Sequence, residues 1–227
     1  EALGLSTDTT LLESSGSRRA ATSALIDALE GGRPTLVCAS DCVDALPGSD
    51  GELELGHGAA ALAVGEGELL AEAVAWASRS EDFVDRYRQA DQRFDYRLEA
   101  RWARDAGVRG PLKTLISAVL ETAGITADAV DWCLAALPGA VAKVVARDAG
   151  LASANLLPEL EASVGLCGAA HALLALDDAL ARAEAGEWLL LIGAGQGFDV
   201  LLLRATGAGR RERPAPPVRV EPNYSRY

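Results

Sequence analysis

The chain has 227 residues, enough for one large domain or two small ones with a real core. Its 49% hydrophobic content is globular rather than disordered, and a formal net charge of −12 repels nucleic-acid phosphate. No apolar run reaches the roughly 20 residues of a membrane span, and no secretory leader is visible, so neither nucleic acid nor a membrane is expected as a partner.

The four cysteines, Cys38, Cys42, Cys133 and Cys167, lack the second close pair or neighbouring His of a zinc site. They read as free thiols in a reducing, cytoplasmic setting. The chain contains no Met and opens on Glu1-Ala2-Leu3-Gly4-Leu5. That string reads as a helix end with Gly4 at its C-cap, so further sequence is expected upstream.

In chain order, Thr10 to Glu13 reads as a short strand before the turn Ser14-Ser15-Gly16-Ser17. Arg18 to Glu30 has helical spacing, with Ala21, Leu25, Ala28 and Leu29 on one face and Gly31-Gly32 as the stop. Pro34 to Ser40 reads as a buried strand. Leu55 to Val64 reads as a strand whose Gly56 and Gly58 suggest close backbone approach, and Leu69 to Arg79 as another strand. Glu81 to Arg109 is charged and aromatic, and is expected to be a helical excursion anchored by Phe83, Tyr87, Phe94, Tyr96 and Trp102.

Pro111 then suits the first turn of a helix running to Gly124. Asp131 to Leu137 is predicted as a strand, Ala140 to Ala149 as a helix, and Leu166 to Ala185 as a strongly apolar helix. Trp188 to Ile192 and Phe198 to Thr206 are predicted strands joined by Gly193-Ala194-Gly195-Gln196-Gly197. The alternation predicts an α/β layered fold. Ala24 to Val64 and Leu173 to Leu203 follow the same order, which suggests two related halves. The expected divisions are 1–80, a covering insertion at 81–109, a second half at 110–207, and an Arg/Pro-rich linker at 208–227, where Arg210, Arg211 and Arg213 lie.

Three segments carry a resemblance: Cys38-Ala39-Ser40-Asp41-Cys42 with Gly56-His57-Gly58-Ala59-Ala60-Ala61; Val164-Gly165-Leu166-Cys167-Gly168-Ala169-Ala170-His171; and Leu189 to Leu202 around the glycine-rich loop. In order and spacing they resemble the thiolase superfamily, in its 3-hydroxy-3-methylglutaryl-CoA synthase-like and ketoacyl synthase III-like branch. The resemblance implies a layered α/β/α fold of two halves, with the start of the first half lacking a counterpart. It also implies a coenzyme A thioester as ligand, no permanently bound cofactor or metal, and assembly as a homodimer or with another thiolase-like subunit. Pro222 to Tyr227 resembles the linker that leads, in some relatives, to a zinc-ribbon/OB-fold domain.

The family's chemistry uses a Cys at a helix N-terminus, a His after a strand of the second half, and an Asn or His at the next turn. Matched on Ala20-Ala21-Thr22, the nucleophile position falls at Arg18, or at Ser17 with a shift of one. The His position falls at Ala136, and the third at Val164 or Leu166. The resemblance therefore implies a degenerate site. The alternative is an active acyltransferase with unorthodox residues, namely Ser17, Cys167 at its helix start, and His57 or His171. Gly168, Gly193, Gly195 and Gly197 are expected to line the pocket.

Overall fold

The computed structural model describes Gly4 and residues 6–212. Apart from Gly4, the helix end expected at residues 1–5 lies outside them, as does the linker expected at 208–227 from residue 213 on, with the zinc-ribbon/OB-fold domain it would precede; Arg210 and Arg211 are described and pair with Glu184 and Asp177.

Helix α1 (Ala20–Gly31) buries Ala21, Leu25 and Ala28 along one stripe and ends on Gly32, left-handed at φ 60°. Strands β1 (Thr35–Cys42) and β2 (His57–Val64) form an antiparallel pair, with a short helix α2 (Gly51–Glu54) between them. Strand β3 (Ala71–Ser80) leads to a two-residue ladder of β4 (Arg86–Tyr87) and β5 (Tyr96–Arg97). Helix α3 (Ala100–Trp102) and a π-helical turn (Ala103–Val108) run straight into α4 (Arg109–Ala123). Then come β6 (Trp132–Ala135), α5 (Gly139–Asp148), α6 (Pro158–Val164), α7 (His171–Arg182), β7 (Trp188–Ala194) and β8 (Gly197–Ala205).

The main sheet has the order β3-β8-β7-β6, with β6 and β7 parallel and the other neighbours antiparallel. Helices α1 and α7 lie between this sheet and the β1–β2 pair, and α4 and α5 cover its far face. Strands β7 and β8 are buried on both faces, which is why they read as unbroken apolar runs. Leu189, Leu191, Leu201 and Leu203 pack toward α1 and α7. Leu190, Ile192, Val200 and Leu202 pack toward α4 and α5. Helix α7 is largely enclosed by the core, with Leu173, Leu176, Ala179 and Leu180 buried, and its charged residues Asp177, Asp178 and Arg182 are ion-paired. The helix–strand–strand order expected of both halves is present, as α1-β1-β2 and α7-β7-β8.

Several expectations are corrected. Thr10 to Glu13 forms no strand, and Leu11 and Leu12 are exposed. Strand β1 is not buried on both faces: Val37 faces the core, while Leu36 is 65% exposed. The excursion is a short hairpin and turns up to Leu98, and is helical only from Ala100. Its aromatics stack on one another, Phe83 on Trp102 at 5.0 Å and Tyr87 on Tyr96 at 5.1 Å, and three of them remain largely exposed. Helix α6 is an addition, begun by Pro158 after a left-handed Leu157 (φ 48°). The long helix expected from Leu166 is regular α-helix only from His171, after a 3₁₀ turn at Gly168–Ala170.

Glycines mark the close approaches. A Cβ on Gly58 would lie 2.7 Å from both Cys167 and Leu174, and one on Gly193 would lie 1.9 Å from the Thr22 Oγ1. Strand β7 therefore meets α1 without side-chain clearance at Gly193. Gly193→Ala is expected to cost about 2–3 kcal/mol through overpacking. Urea denaturation measures this, and an unchanged midpoint would refute the contact.

Candidate functional site

The turn before α1 is tied to the β7–β8 loop. Ser17 Oγ donates to the Gly195 carbonyl at 2.9 Å and accepts from the Arg19 amide at 3.3 Å. Both partners are backbone groups, and no general base is among them. A Cβ on Gly195 would fall 2.7 Å from Ser17 Oγ, so the two segments touch directly. The loop turns through Gln196 (φ 51°) and Gly197 (φ 120°), and at Gly197 a Cβ would meet the Arg79 carbonyl at 2.1 Å.

Arg18 and Arg19 point to different partners. Arg18 Nη2 donates to both oxygens of Asp85, at 3.0 and 2.9 Å, with the two side chains 26% and 34% exposed. Arg18, Asp85, Phe83, Leu137, Gly195 and Gly197 line a cleft of about 30 Å³. Arg19 turns inward. Its Nη1 donates to Asp199 Oδ1 at 2.8 Å and its Nε to the Gly195 carbonyl at 3.1 Å.

Asp199 is fully buried (0% exposed) in the middle of an apolar strand. Ser78 Oγ donates to its Oδ1 at 2.6 Å, and Thr22 Oγ1 and Ser23 Oγ donate to its Oδ2 at 2.8 and 2.6 Å. With Arg19, four side chains from α1, its leading turn and β3 thus converge on one carboxylate. Sequence reasoning did not single out Asp199. The available signal was an acid inside Phe198-Asp199-Val200-Leu201-Leu202, since a charge there must be paired.

The remaining expected positions are spread over the end of β6, the turn into α7 and the β7–β8 loop. Ala136 is buried, and its amide donates to the Ile192 carbonyl at 2.9 Å, extending β6 beside β7. The neighbouring Leu137 lines both this cleft and a second one of about 60 Å³, bounded by Gly139, Leu157, Glu161 and His171. Val164 ends α6, and a Cβ on Gly56 would sit 1.8 Å from its carbonyl. The Leu166 amide donates to the Glu54 carbonyl at 2.7 Å, and its carbonyl accepts from the Gly56 amide at 3.1 Å. Val164 and Leu166 thus stitch the turn to the entry of β2. Of the four expected lining glycines, Gly195 and Gly197 reach the smaller cleft. Gly193 makes room for Thr22, and Gly168 for Asp41, whose carboxylate accepts from the Ala169 amide at 3.0 Å.

Cys167 is fully buried. Its thiol lies 3.4 Å from the carbonyls of both His57 and Val164, and its one proton is within reach of either. Burial, with the Asp41 charge adding to it, pushes this thiol up to about 11, so it stays protonated at neutral pH. Burial alone pushes Cys133 up to about 12. His57 is exposed on β2, opposite Cys42. His171 opens α7, is 5% exposed, and accepts from the Cys167 amide at Nδ1 at 3.5 Å. Burial lowers it to about 4, opposed by a backbone hydrogen bond to Gly165, so the ring is neutral. Among the described residues no group of three His, Cys, Asp or Glu side chains is placed to hold a metal ion, and no helix is long and apolar enough to cross a membrane.

No protein-family model and no curated protein matches the chain. Solved structures do match. One is 3-oxoacyl-(acyl-carrier-protein) synthase III from Aquifex aeolicus, with a TM-score of 0.67 at 19% identity, over 83% of this chain and 65% of that one. Another is an HMG-CoA synthase complexed with CoA, with a TM-score of 0.72 at 16% identity, over 87% of this chain and 56% of that one. A third is the type III polyketide synthase domain of a Dictyostelium hybrid, with a TM-score of 0.74 at 15% identity, over 90% of this chain and 64% of that one. The chain spans between 56% and 65% of the length of these three. At such identities the likeness is one of fold. The fold is the thiolase-like, layered α/β arrangement of these structures, as expected.

Two measurements follow from the buried groups. Asp199→Ala leaves Arg19 facing a cavity and is expected to cost about 3 kcal/mol or more, with Asp199→Asn costing less. Equal stability of all three proteins in urea would contradict the pairing. For His171 the folded value, about 4, lies below the ordinary 6.5. The unfolded chain therefore binds the proton first. The stabilising contribution of the neutral ring is complete above pH 6.5 and is lost as pH falls toward 4, about 3 kcal/mol in all. In His171→Gln, the fall in unfolding free energy across that interval, read from urea titrations, should shrink by this amount; an identical fall would rule the account out.

Proposed function

We propose that the chain is a thiolase-like acyl-CoA acyltransferase-family subunit whose site is catalytically silent. In this reading it acts as scaffold, or as acyl-CoA-binding partner, for an active subunit. The observation that carries the proposal is the Arg18–Asp85 ion pair. Arg18 stands where the resemblance puts the nucleophile, at the start of α1, and a guanidinium is neither a nucleophile nor, with its proton always bound, a base.

Other observations support the same reading. Ser17 spends its hydroxyl proton on a carbonyl, Ala136 has only a methyl group, and the Cys167 thiol is held protonated. The two clefts, about 30 and 60 Å³, have room for water, whereas ligand pockets span about 300–1,000 Å³. A thioester would need the excursion to move away from Arg18, or a partner to complete the pocket. The exposed face of the β1–β2 pair suits such a partner, either a second copy or another thiolase-like subunit. It presents Leu36, Cys38, Ala59, Ala61 and Ala63 to solvent, and apolar exposure of this kind marks interaction surfaces.

The experiment is intact mass spectrometry after incubation with acetyl-CoA and longer acyl-CoAs, with native mass recorded on the same sample. The expected result is no acyl adduct and no release of coenzyme A, together with a native mass above that of one chain. An adduct on Ser17 or Cys167 would establish the alternative, an active acyltransferase with unorthodox residues. A monomeric native mass would refute the scaffold role.

A further inference from the structure

Beside the cleft, one basic side chain is left short of partners. Arg86 and Arg97 stand directly opposite each other in the β4–β5 ladder, so both leave the same face of the hairpin. Like charges at such a pair repel. Arg97 is matched, its Nη2 lying 2.9 Å from Glu54. Arg86 is not: its Nη1 reaches Asp95 only at 3.5 Å, and Asp95 is shared with Arg88 at 3.7 Å.

The Arg86 side chain is 8% exposed, and its buried Nε has no hydrogen-bond partner. An unmade bond on a buried charged group is costly. Arg18, paired with the residue just before Arg86, adds a third guanidinium. In all, four arginines (Arg18, Arg86, Arg88 and Arg97) face three carboxylates (Asp85, Asp95 and Glu54). Among these pairs Asp95 is the carboxylate shared by two guanidinia. Burial first, then the charges of Arg18 and Arg97, bring Arg86 down to about 10, while Asp95 and Asp85 oppose the shift.

We propose that Arg86, with Arg18 and Arg97 at its rim, forms an oxyanion site for the phosphate group of a ligand. The rim is open to solvent, Arg18 being 26% and Arg97 31% exposed, while Arg86 forms the floor. The ion pairs of Arg18 and Arg97 each occupy a single Nη2 nitrogen, so both guanidinia keep further N–H donors. A tetrahedral dianion accepts from guanidinia in several directions at once, whereas a carboxylate offers two oxygens in one plane. Bound there, phosphate satisfies the Arg86 Nε and screens the cross-strand repulsion. The site does not depend on whether the neighbouring cleft is silent, since no reaction is assigned to it.

The test is calorimetric titration of the full chain with inorganic phosphate at constant ionic strength, with AMP and succinate as parallel ligands. Saturable binding of phosphate is expected, with succinate much weaker. Arg97→Gln, at a half-exposed position, should weaken phosphate by about tenfold, the worth of one charge-assisted hydrogen bond. Arg86→Met should abolish binding; if that variant does not fold, Arg97→Gln decides. AMP binding tighter than inorganic phosphate assigns a nucleotide source, and weaker binding assigns the free ion, each within the proposal. No saturable phosphate binding, undiminished binding by Arg97→Gln, or succinate binding as tight as phosphate would each overturn it.

Discussion

The buried carboxylate of Asp199 is the constraint on which the arrangement around α1 depends. A lone carboxylate in an apolar strand would be prohibitively unfavourable, so its place in β8 requires a cation and several donors. Arg19 provides the cation, and Thr22, Ser23 and Ser78 provide the hydroxyls. These donors come from the start of α1 and from β3. A single residue therefore sets where α1 begins, how it is rotated, and how closely it lies against the β7–β8 loop. Gly193 and Gly195 follow from the same constraint, because side chains there would collide with Thr22 and Ser17.

Once α1 is fixed, the layers follow from ordinary packing. Helix α7 lies beside it and is enclosed between the two sheets, which explains why most of its residues are buried. Strands β7 and β8 then carry a core on each face, one toward α1 and α7 and the other toward α4 and α5. The β1–β2 pair has a core on one face only. That difference accounts for the strict alternation of exposure along β2 against the continuous burial of β8.

Much of this was legible in the sequence where one physical signal dominated. The β7–β8 hairpin was readable because two apolar runs flank a glycine-rich turn. The end of α1 was readable because Gly31-Gly32 stops it. The reading failed where the same residues serve two environments. Pro34 to Ser40 is a short apolar run, and such a run does not reveal whether one face or both are covered. The aromatics of the excursion suggested anchoring, but Tyr87 and Tyr96 are a cross-strand pair that stack on each other. Helix α6 was missed because Pro158-Glu159-Leu160-Glu161 offers only one turn of pattern. The positions matched by resemblance lie at the start of α1, at the end of β6 and at the turn into α7. The charge network around the first of these was not legible, because Asp199, Arg19 and Asp85 are far apart in the chain and only pairing in space gives them meaning.

The start of α1 is also where the charge network meets a helix terminus. Its N-terminus carries partial positive charge, which elsewhere favours a thiolate or an oxyanion. Here two successive arginines add to that charge. Two carboxylates answer it, Asp199 from the core and Asp85 from the excursion. The Arg19 amide is bonded to Ser17 Oγ, and the Ala20 amide to the Ser17 carbonyl. An oxyanion at the helix end itself would have to displace the bonds already made by the Arg19 and Ala20 amides. On the proposed reading, the electrostatics that would stabilise a transition state instead hold the excursion down and α1 in place. On that reading, restoring a reaction would take more than a substitution at Arg18, because the Arg19 and Ala20 amides are already bonded.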